Sequence, residues 1–189
     1  FIIEPIISKE SIPPFDNTAV DGYAVKAIDT KGATEETPTS LTVLETIAAG
    51  KPPTFNIQSG ECSKIMTGAP IPDGADAVVM VEWTEQQGND SDVIIKEEVS
   101  EGQHIRRSGE DLEPGDLVIP EGTLLNAAHL GLLASLGIYQ ITILRAPTVG
   151  IFSTGDELIE GSQPLEPGQI RDSNRFSLLA LLERDGFQT

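Results

Sequence analysis

A chain of 189 residues is long enough for one ordinary domain or two small ones. Its 30 acidic against 12 basic side chains leave a formal charge of −18, and Arg106-Arg107 is the only adjacent basic pair, so it lacks the basic stripe that nucleic-acid binding needs. No apolar run approaches the roughly 18 residues of a membrane span, and the single cysteine, Cys62, excludes an internal disulfide or a Cys-rich zinc site.

The opening Phe1-Ile2-Ile3-Glu4-Pro5 has neither a basic leader nor a small-residue cleavage site, so no signal peptide is expected. Phe1 reads as the tail of something earlier, and Gly186 to Thr189 stops where a helix should hand over to a strand; both ends are expected to be cut. A soluble, cytoplasmic protein is the expectation. From Ser11 to about Val99 the pattern is short strands with turn chemistry. Ser40 to Leu44 alternates, and Ala49-Gly50-Lys51-Pro52-Pro53 breaks it. Ala77 to Val81 is an apolar run too short for a helix, and Val93-Ile94-Ile95 is predicted to pair with it across the polar loop Gln86 to Asp92. Met66, Met80 and Trp83 are expected to fill core space. The ten acids between Glu85 and Asp116 read as a solvated face.

The second half changes character. Asn126 can cap a helix from Ala127 to Leu136 ended by Gly137, with Ala127, Leu130, Leu133 and Ala134 on one face. Ile138 to Leu144 alternates as a strand, and Val149 to Phe152 reads as another. Asp172 or Ser173 can cap a last helix with Phe176, Leu179 and Leu182 inward and Gly186 closing it. Strand, loop, helix and incipient strand are the start of a parallel α/β sheet. The expected fold is therefore multi-domain α+β: a mainly β domain at 1–115, a helical linker at 116–147, and the first strand–loop–helix of an α/β domain at 148–189.

Four loops could carry chemistry. Asp21-Gly22 reads either as a tight turn or as a device holding the Asp21 carboxylate toward a cleft. Met66-Thr67-Gly68 offers a hydroxyl beside a glycine N–H that a ligand could approach, or is a loop without a ligand. Arg106-Arg107-Ser108-Gly109-Glu110-Asp111 sets two guanidinium groups near two carboxylates, which a surface ion-pair cluster also explains. Ser153-Thr154-Gly155-Asp156-Glu157 follows an apolar strand, where ligands of parallel sheets sit. Its acids could hold a Mg2+ ion bridging to phosphate, or complement a helix dipole. His104 and His129 show no ligand-like spacing. No phosphate-binding loop, dinucleotide fingerprint or nucleophile elbow is present.

These loops gain force from their order. Pro13 to Val25, Lys64 to Pro70, Gly74 to Met80, Arg106 to Asp111, Leu133 to Ile138, Ser153 to Leu158 and Gly168 to Asn174 follow one another as seven blocks. This run resembles the molybdopterin molybdenumtransferase family, the MoeA proteins and the gephyrin E domain, over essentially the whole chain. Thr18 and Val20 stand where many relatives look like Ser and Met, and neither change touches a carboxylate. The resemblance implies an elongated homodimer that inserts molybdate into adenylylated molybdopterin with Mg2+ help, releasing AMP. By position it implies that Asp21, Thr67, Asp111 and Glu157 are the catalytic-cleft residues, with Thr154, Gly155 and Asp156 as cofactor-binding neighbours and the metal ligands open. It also implies that the β part of one subunit faces the α/β domain of the other, and that the remaining pterin and molybdate contacts lie beyond Thr189. A non-catalytic, gephyrin-like scaffold that kept the fold, or an assembly module, is the alternative. A protein at −18 cannot attract such polyanionic substrates by its overall field, so local cations and N–H groups must do so.

Overall fold

The computed structural model describes residues 1–87 and 91–189. In chain order the strands are β1 (Ile6–Ile7), β2 (Asn17–Thr18), β3 (Gly22–Val25), β4 (Thr39–Ile47), β5 (Glu61–Ile65), β6 (Ala77–Met80), β7 (Thr84–Gln87), β8 (Asp92–Ile95), β9 (Ile105–Arg106) and β10 (Leu117–Ile119). Helix α1 (Ala127–Ser135), the short strands β11 (Leu158–Ile159) and β12 (Ile170–Arg171), and helix α2 (Ser173–Arg184) complete it.

Six strands form one mixed sheet in the order β6-β3-β5-β4-β8-β7, in which only β4 and β5 run parallel. Both faces of its middle are buried. Tyr23, Val25, Leu41, Cys62, Val79, Val93 and Ile95 form the core on one side. Ala24, Ile47, Ile65, Ala69 and Val78 form the core on the other. Leu41 and Ile47 have the same parity along β4 yet join different cores. The reason is a bulge: Val43 pairs with Cys62 but Thr46 with Lys64, so one extra residue in β4 switches its inward face. Burial, and next the nearby Asp92 charge, push the Cys62 thiol up to about 12, which removes it as a nucleophile.

Several sequence expectations are corrected here. Val93–Ile95 pairs with β4 and with β7, not with the Ala77–Met80 run, whose ladder partner is β3. Of the expected connecting loop, Gln86 and Gln87 belong to β7 and residues 88–90 lie outside the described residues. The free edge of β6 is covered by a turn instead: Val78 N–H donates to the Gln103 carbonyl at 3.1 Å, and His104 Nδ1 lies 2.9 Å from the Val78 carbonyl. Trp83 is 48% exposed, because Val81–Trp83 winds into a short 3-10 turn that leaves the sheet surface.

Residues 1–12 do not pack on the large sheet. Strand β1 pairs antiparallel with β10, and Ile2 bridges Ile143. Ile2, Ile119 and Leu133 form a third, small core against α1. That helix is capped as expected: the Asn126 side chain accepts from His129 N–H at 3.1 Å, while Asn126 N–H donates to His129 Nδ1 at 3.2 Å. Its buried face differs from the expected one, since Leu133 and Leu136 are buried while Leu130 is 57% exposed and Ala127 and Ala134 face solvent. Ile138 to Leu144 makes one bridge and no strand.

The segment 148–189 carries the least packing. Val149 to Phe152 is not a strand; Thr148 makes a single parallel bridge to Gln188, and Phe152 is fully solvated. Helix α2 is capped by Asp172 and ends at Gly186 in the left-handed region, as expected, yet it buries no residue. Phe176 points outward, with the Arg175 guanidinium 5.2 Å from its ring centroid. A helix and two-residue strands without a covered face gain little from burial. Hydrogen exchange of the 189-residue chain should therefore show weak protection over 148–189 and strong protection at Val78, Val79, Val93 and Ile95. Equal protection in the two regions is the outcome that contradicts this. Among the described residues no helix is long and apolar enough to cross a membrane.

Candidate active site

The two-residue strand β2 is the hinge of the arrangement. On one side Asn17 bridges Pro70, Thr18 N–H donates to the Ala69 carbonyl at 3.1 Å, and Gly68 N–H donates to the Thr18 carbonyl at 2.9 Å. On the other side Asn17 and Thr18 pair with Arg106 and Ile105. The loops at 67–70 and 105–111 are thus both fastened to one short stretch.

Asp21 leaves this stretch just before β3. Its Oδ1 accepts two hydrogen bonds from Thr67, one from the backbone N–H at 2.6 Å and one from the hydroxyl at 2.7 Å. These hold the Asp21 carboxyl below its ordinary range, the backbone bond contributing most. Asp21 is exposed, so the charge is fixed in place and still open to a ligand. Of the two readings of this loop, the structure shows the Thr67 hydroxyl and the Gly68 N–H bonded inside the protein; a glycine with φ +80° lets the loop fold back onto Thr18. The tight-turn reading of Asp21-Gly22 does not hold: Gly22 is a buried strand residue, and a Cβ there would lie 2.0 Å from the Val79 carbonyl oxygen.

Asp111 is exposed and ion-paired. Arg106 donates to its Oδ2 at 2.5 Å and reaches Glu110 at 4.0 Å. The Arg107 backbone N–H donates to Glu110 Oε2 at 3.1 Å, but its guanidinium takes a partner outside the cluster: it donates to Asp16 Oδ2 at 2.6 Å, while Ser108 N–H donates to Asp16 Oδ1 at 2.8 Å. The Ser108 bond and then the Arg107 bond hold the Asp16 carboxyl below its usual range. Asp16 is therefore the brace of the loop carrying Asp111. Sequence reasoning passed over it because its partners lie about 90 positions away, and no local spacing marks such a contact. His104, half-buried with φ +60°, braces the same region: its carbonyl accepts from Ala19 N–H at 3.0 Å, two residues before Asp21.

Glu157 sits in a separate place. A turn at Asp156-Glu157 leads into β11, which pairs parallel with β12. The Glu157 carboxylate folds back over Gly155, 2.5 Å from where a Cβ would stand. A cleft of about 330 Å3 opens beside it, lined among others by Ser153, Thr154, Glu157 and Asp172. Asp172 is held ionised there by the Ser153 hydroxyl first and the Arg175 N–H second. The structure brings Asp21 and Thr67 into contact and fastens the Asp111 loop to the same strand. It does not join Glu157 to them: no hydrogen bond or ion pair among the described residues links Glu157 to Asp21, Thr67 or Asp111.

A curled mixed sheet with loop-borne carboxylates, a strand–helix clasp and a short parallel unit define a multi-domain α+β protein whose candidate site residues lie on two separate elements. Residues 1–137 match the family model described as MoeA N-terminal region (domain I and II), and the chain belongs to this family. It is 44% identical over 181 residues to Molybdopterin molybdenumtransferase 2 of Mycobacterium tuberculosis, a match covering 96% of this chain and 44% of that protein. The Molybdopterin molybdenumtransferase of Nostoc sp. is 42% identical over 182 residues, with 96% and 41% covered. Among solved structures, the molybdopterin biosynthesis moeA protein from Pyrococcus horikoshii OT3 superposes with a TM-score of 0.87 at 38% identity, over 99% of this chain and 50% of that one. The chain spans less than half the length of the curated relatives it matches.

Proposed function

We propose that this chain is the N-terminal and central part of a molybdopterin molybdenumtransferase, which inserts molybdate into adenylylated molybdopterin with release of AMP. The observation that carries the reading is the Asp21–Thr67 pair, held beside the braced Arg106–Asp111 loop in a chain of the MoeA family. The division into parts at 1–115, 116–147 and 148–189 is proposed with it, residues 2–7 being clasped to the second part. So are a cytoplasmic location and a homodimer in which Asp21, Thr67 and Asp111 of one subunit face Glu157 of the other.

In this reading each side chain has a task set by its surroundings. Thr67 is a positioning residue: it fixes one Asp21 oxygen and leaves the other for the substrate or its metal. Arg106 offsets the Asp111 charge and supplies a local cation that the −18 surface otherwise withholds from a polyanion. Asp156 and Glu157 are exposed carboxylates with no hydrogen-bond or ion-pair partner among the described residues. One or two such carboxylates, completed by substrate phosphate oxygens and water, are the donor set Mg2+ takes, so these residues fit it. When bound, the ion neutralises charge on the phosphoanhydride. Thr154 lines the same cleft, and it and the adjoining Gly155 are proposed to contact the substrate.

The test is AMP release from adenylylated molybdopterin by the full-length protein, with molybdate and Mg2+ supplied. Turnover is expected in the wild type, and Glu157→Gln should lower it tenfold or more, about 1.4 kcal/mol of barrier, with thermal melting nearly unchanged. A folded full-length protein that releases no AMP would be a scaffold sharing the fold. A large melting loss with turnover preserved would make Glu157 structural.

A further inference from the structure

Three carboxylates belong to the loops fastened on β2, and they use their oxygens differently. Asp21 spends Oδ1 on Thr67 and Asp111 spends Oδ2 on Arg106, and neither second oxygen has a hydrogen-bond or ion-pair partner among the described residues. Asp16 has both oxygens taken, Oδ1 by the Ser108 N–H and Oδ2 by Arg107. A carboxylate closed in this way is not poised to take a ligand. It is also anchored: the Asp16 carbonyl accepts from the Ile71 N–H at 3.0 Å, just past the loop that carries Thr67, and the adjoining Asn17 is buried. The Asp111 loop does not depend on Asp16 alone. Gly109 N–H donates to the Pro13 carbonyl at 3.0 Å and Asp111 N–H to the Ile12 carbonyl at 2.9 Å. What the Asp16 carboxylate adds to these ties is a hold on the Arg107 guanidinium.

The loop carries two adjacent cations, Arg106 and Arg107, and two exposed carboxylates, Glu110 and Asp111. The Arg107 backbone already lies against them: its N–H donates to Glu110 Oε2 at 3.1 Å, and its carbonyl accepts from the Glu110 N–H at 3.1 Å. Exposed ion pairs are individually weak, so a guanidinium without a fixed partner in this turn would settle on the nearest open carboxylate oxygen. The guanidinium fork fits a carboxylate with two parallel bonds, and on Asp111 it would fill the oxygen that Arg106 leaves open. We propose that Asp16 is a positioning residue that partitions the two arginines: it withholds Arg107 from Asp111, which keeps Arg106 as its single counterion and one oxygen free. The effect of this partition on turnover rests on the proposed function, which it deepens by naming what keeps Asp111 open.

Asp16→Asn separates the two duties of this side chain, because the amide oxygen can still accept from Ser108 while the charge that holds Arg107 is gone. In the full-length protein it should lower the rate of AMP release about tenfold. Adding Arg107→Gln should bring the rate back to within about threefold of wild type, since it removes the misplaced cation. Arg107→Gln alone should leave the rate near the wild-type value, and Asp16→Glu, which keeps the charge, should retain it. Independently of activity, the Asp111 Cγ resonance of the 189-residue chain should move in Asp16→Asn and return in the double variant. The proposal is overturned if the double variant is no faster than Asp16→Asn, if Asp16→Asn releases AMP like the wild type, or if the Asp111 resonance does not respond. An Asp16→Asn protein that does not fold, and is not recovered by Arg107→Gln, would make Asp16 a structural residue and overturn it too. If the wild-type full-length protein releases no AMP, the proposed function falls, and the Asp111 resonance alone decides whether the arginines are partitioned.

Discussion

Mixing full-length subunits that carry Asp21→Ala with subunits that carry Glu157→Ala is expected to restore activity that neither homodimer shows. In one chain these two carboxylates lie on separate elements with no bond among the described residues joining them. If the site is shared across a two-fold interface, a mixed dimer has one site with both defects and one with neither. Equal mixing makes half of the dimers mixed, so about a quarter of wild-type activity should return. The measurement is AMP release after subunit exchange verified by mass spectrometry or tagged pull-down. No recovery after verified exchange would show that each subunit completes its own site.

Gly22→Ala should be among the most damaging single substitutions in the β part. The added methyl would stand 2.0 Å from the Val79 carbonyl oxygen and 2.9 Å from its carbon, both backbone atoms that cannot swing aside. Strands β3 and β6 would have to separate at the point where Gly22 pairs with Met80, and Asp21 would move with them. Overpacking of this kind costs about 3 kcal/mol, which for a chain this size lowers Tm by about 6–12 °C. Gly131→Ala is the control: nothing lies within 4 Å of its would-be Cβ, and in a helix alanine is favoured by about 1 kcal/mol. Calorimetry of the two variants decides the matter. An unchanged Tm for Gly22→Ala would mean that β3 and β6 do not approach as described.

The proposed site residues could be read directly as candidates. Asp21, Thr67, Asp111 and Glu157 were legible as residue types in loops between apolar runs, and the order of seven short blocks pointed to the family that the comparisons then showed. Their tasks were not legible. The Thr67 hydroxyl reads as a free ligand contact until Asp21, 46 positions away, is seen to accept from it. The Arg107 guanidinium reads as paired within its own loop until Asp16 is found beside it.

Local chemistry alone determined the caps at Asn126 and Asp172 and the left-handed ends at Gly137 and Gly186, marked apolar strand candidates at 40–44 and 77–81, and left Cys62 without a disulfide partner. Each depends on neighbours within a few residues or on composition. Tertiary structure alone decided which strand lies beside which, where the β4 bulge turns the inward face over, and why Gly22 has no side chain. It also decided that Val149 to Phe152, apolar enough for a strand, forms none: Thr148 bridges Gln188, and Val149 N–H donates to the Gln188 carbonyl at 2.9 Å. A strand exists only by the hydrogen bonds of a neighbour at any distance in sequence, whereas a helix and its cap close their bonds within four residues.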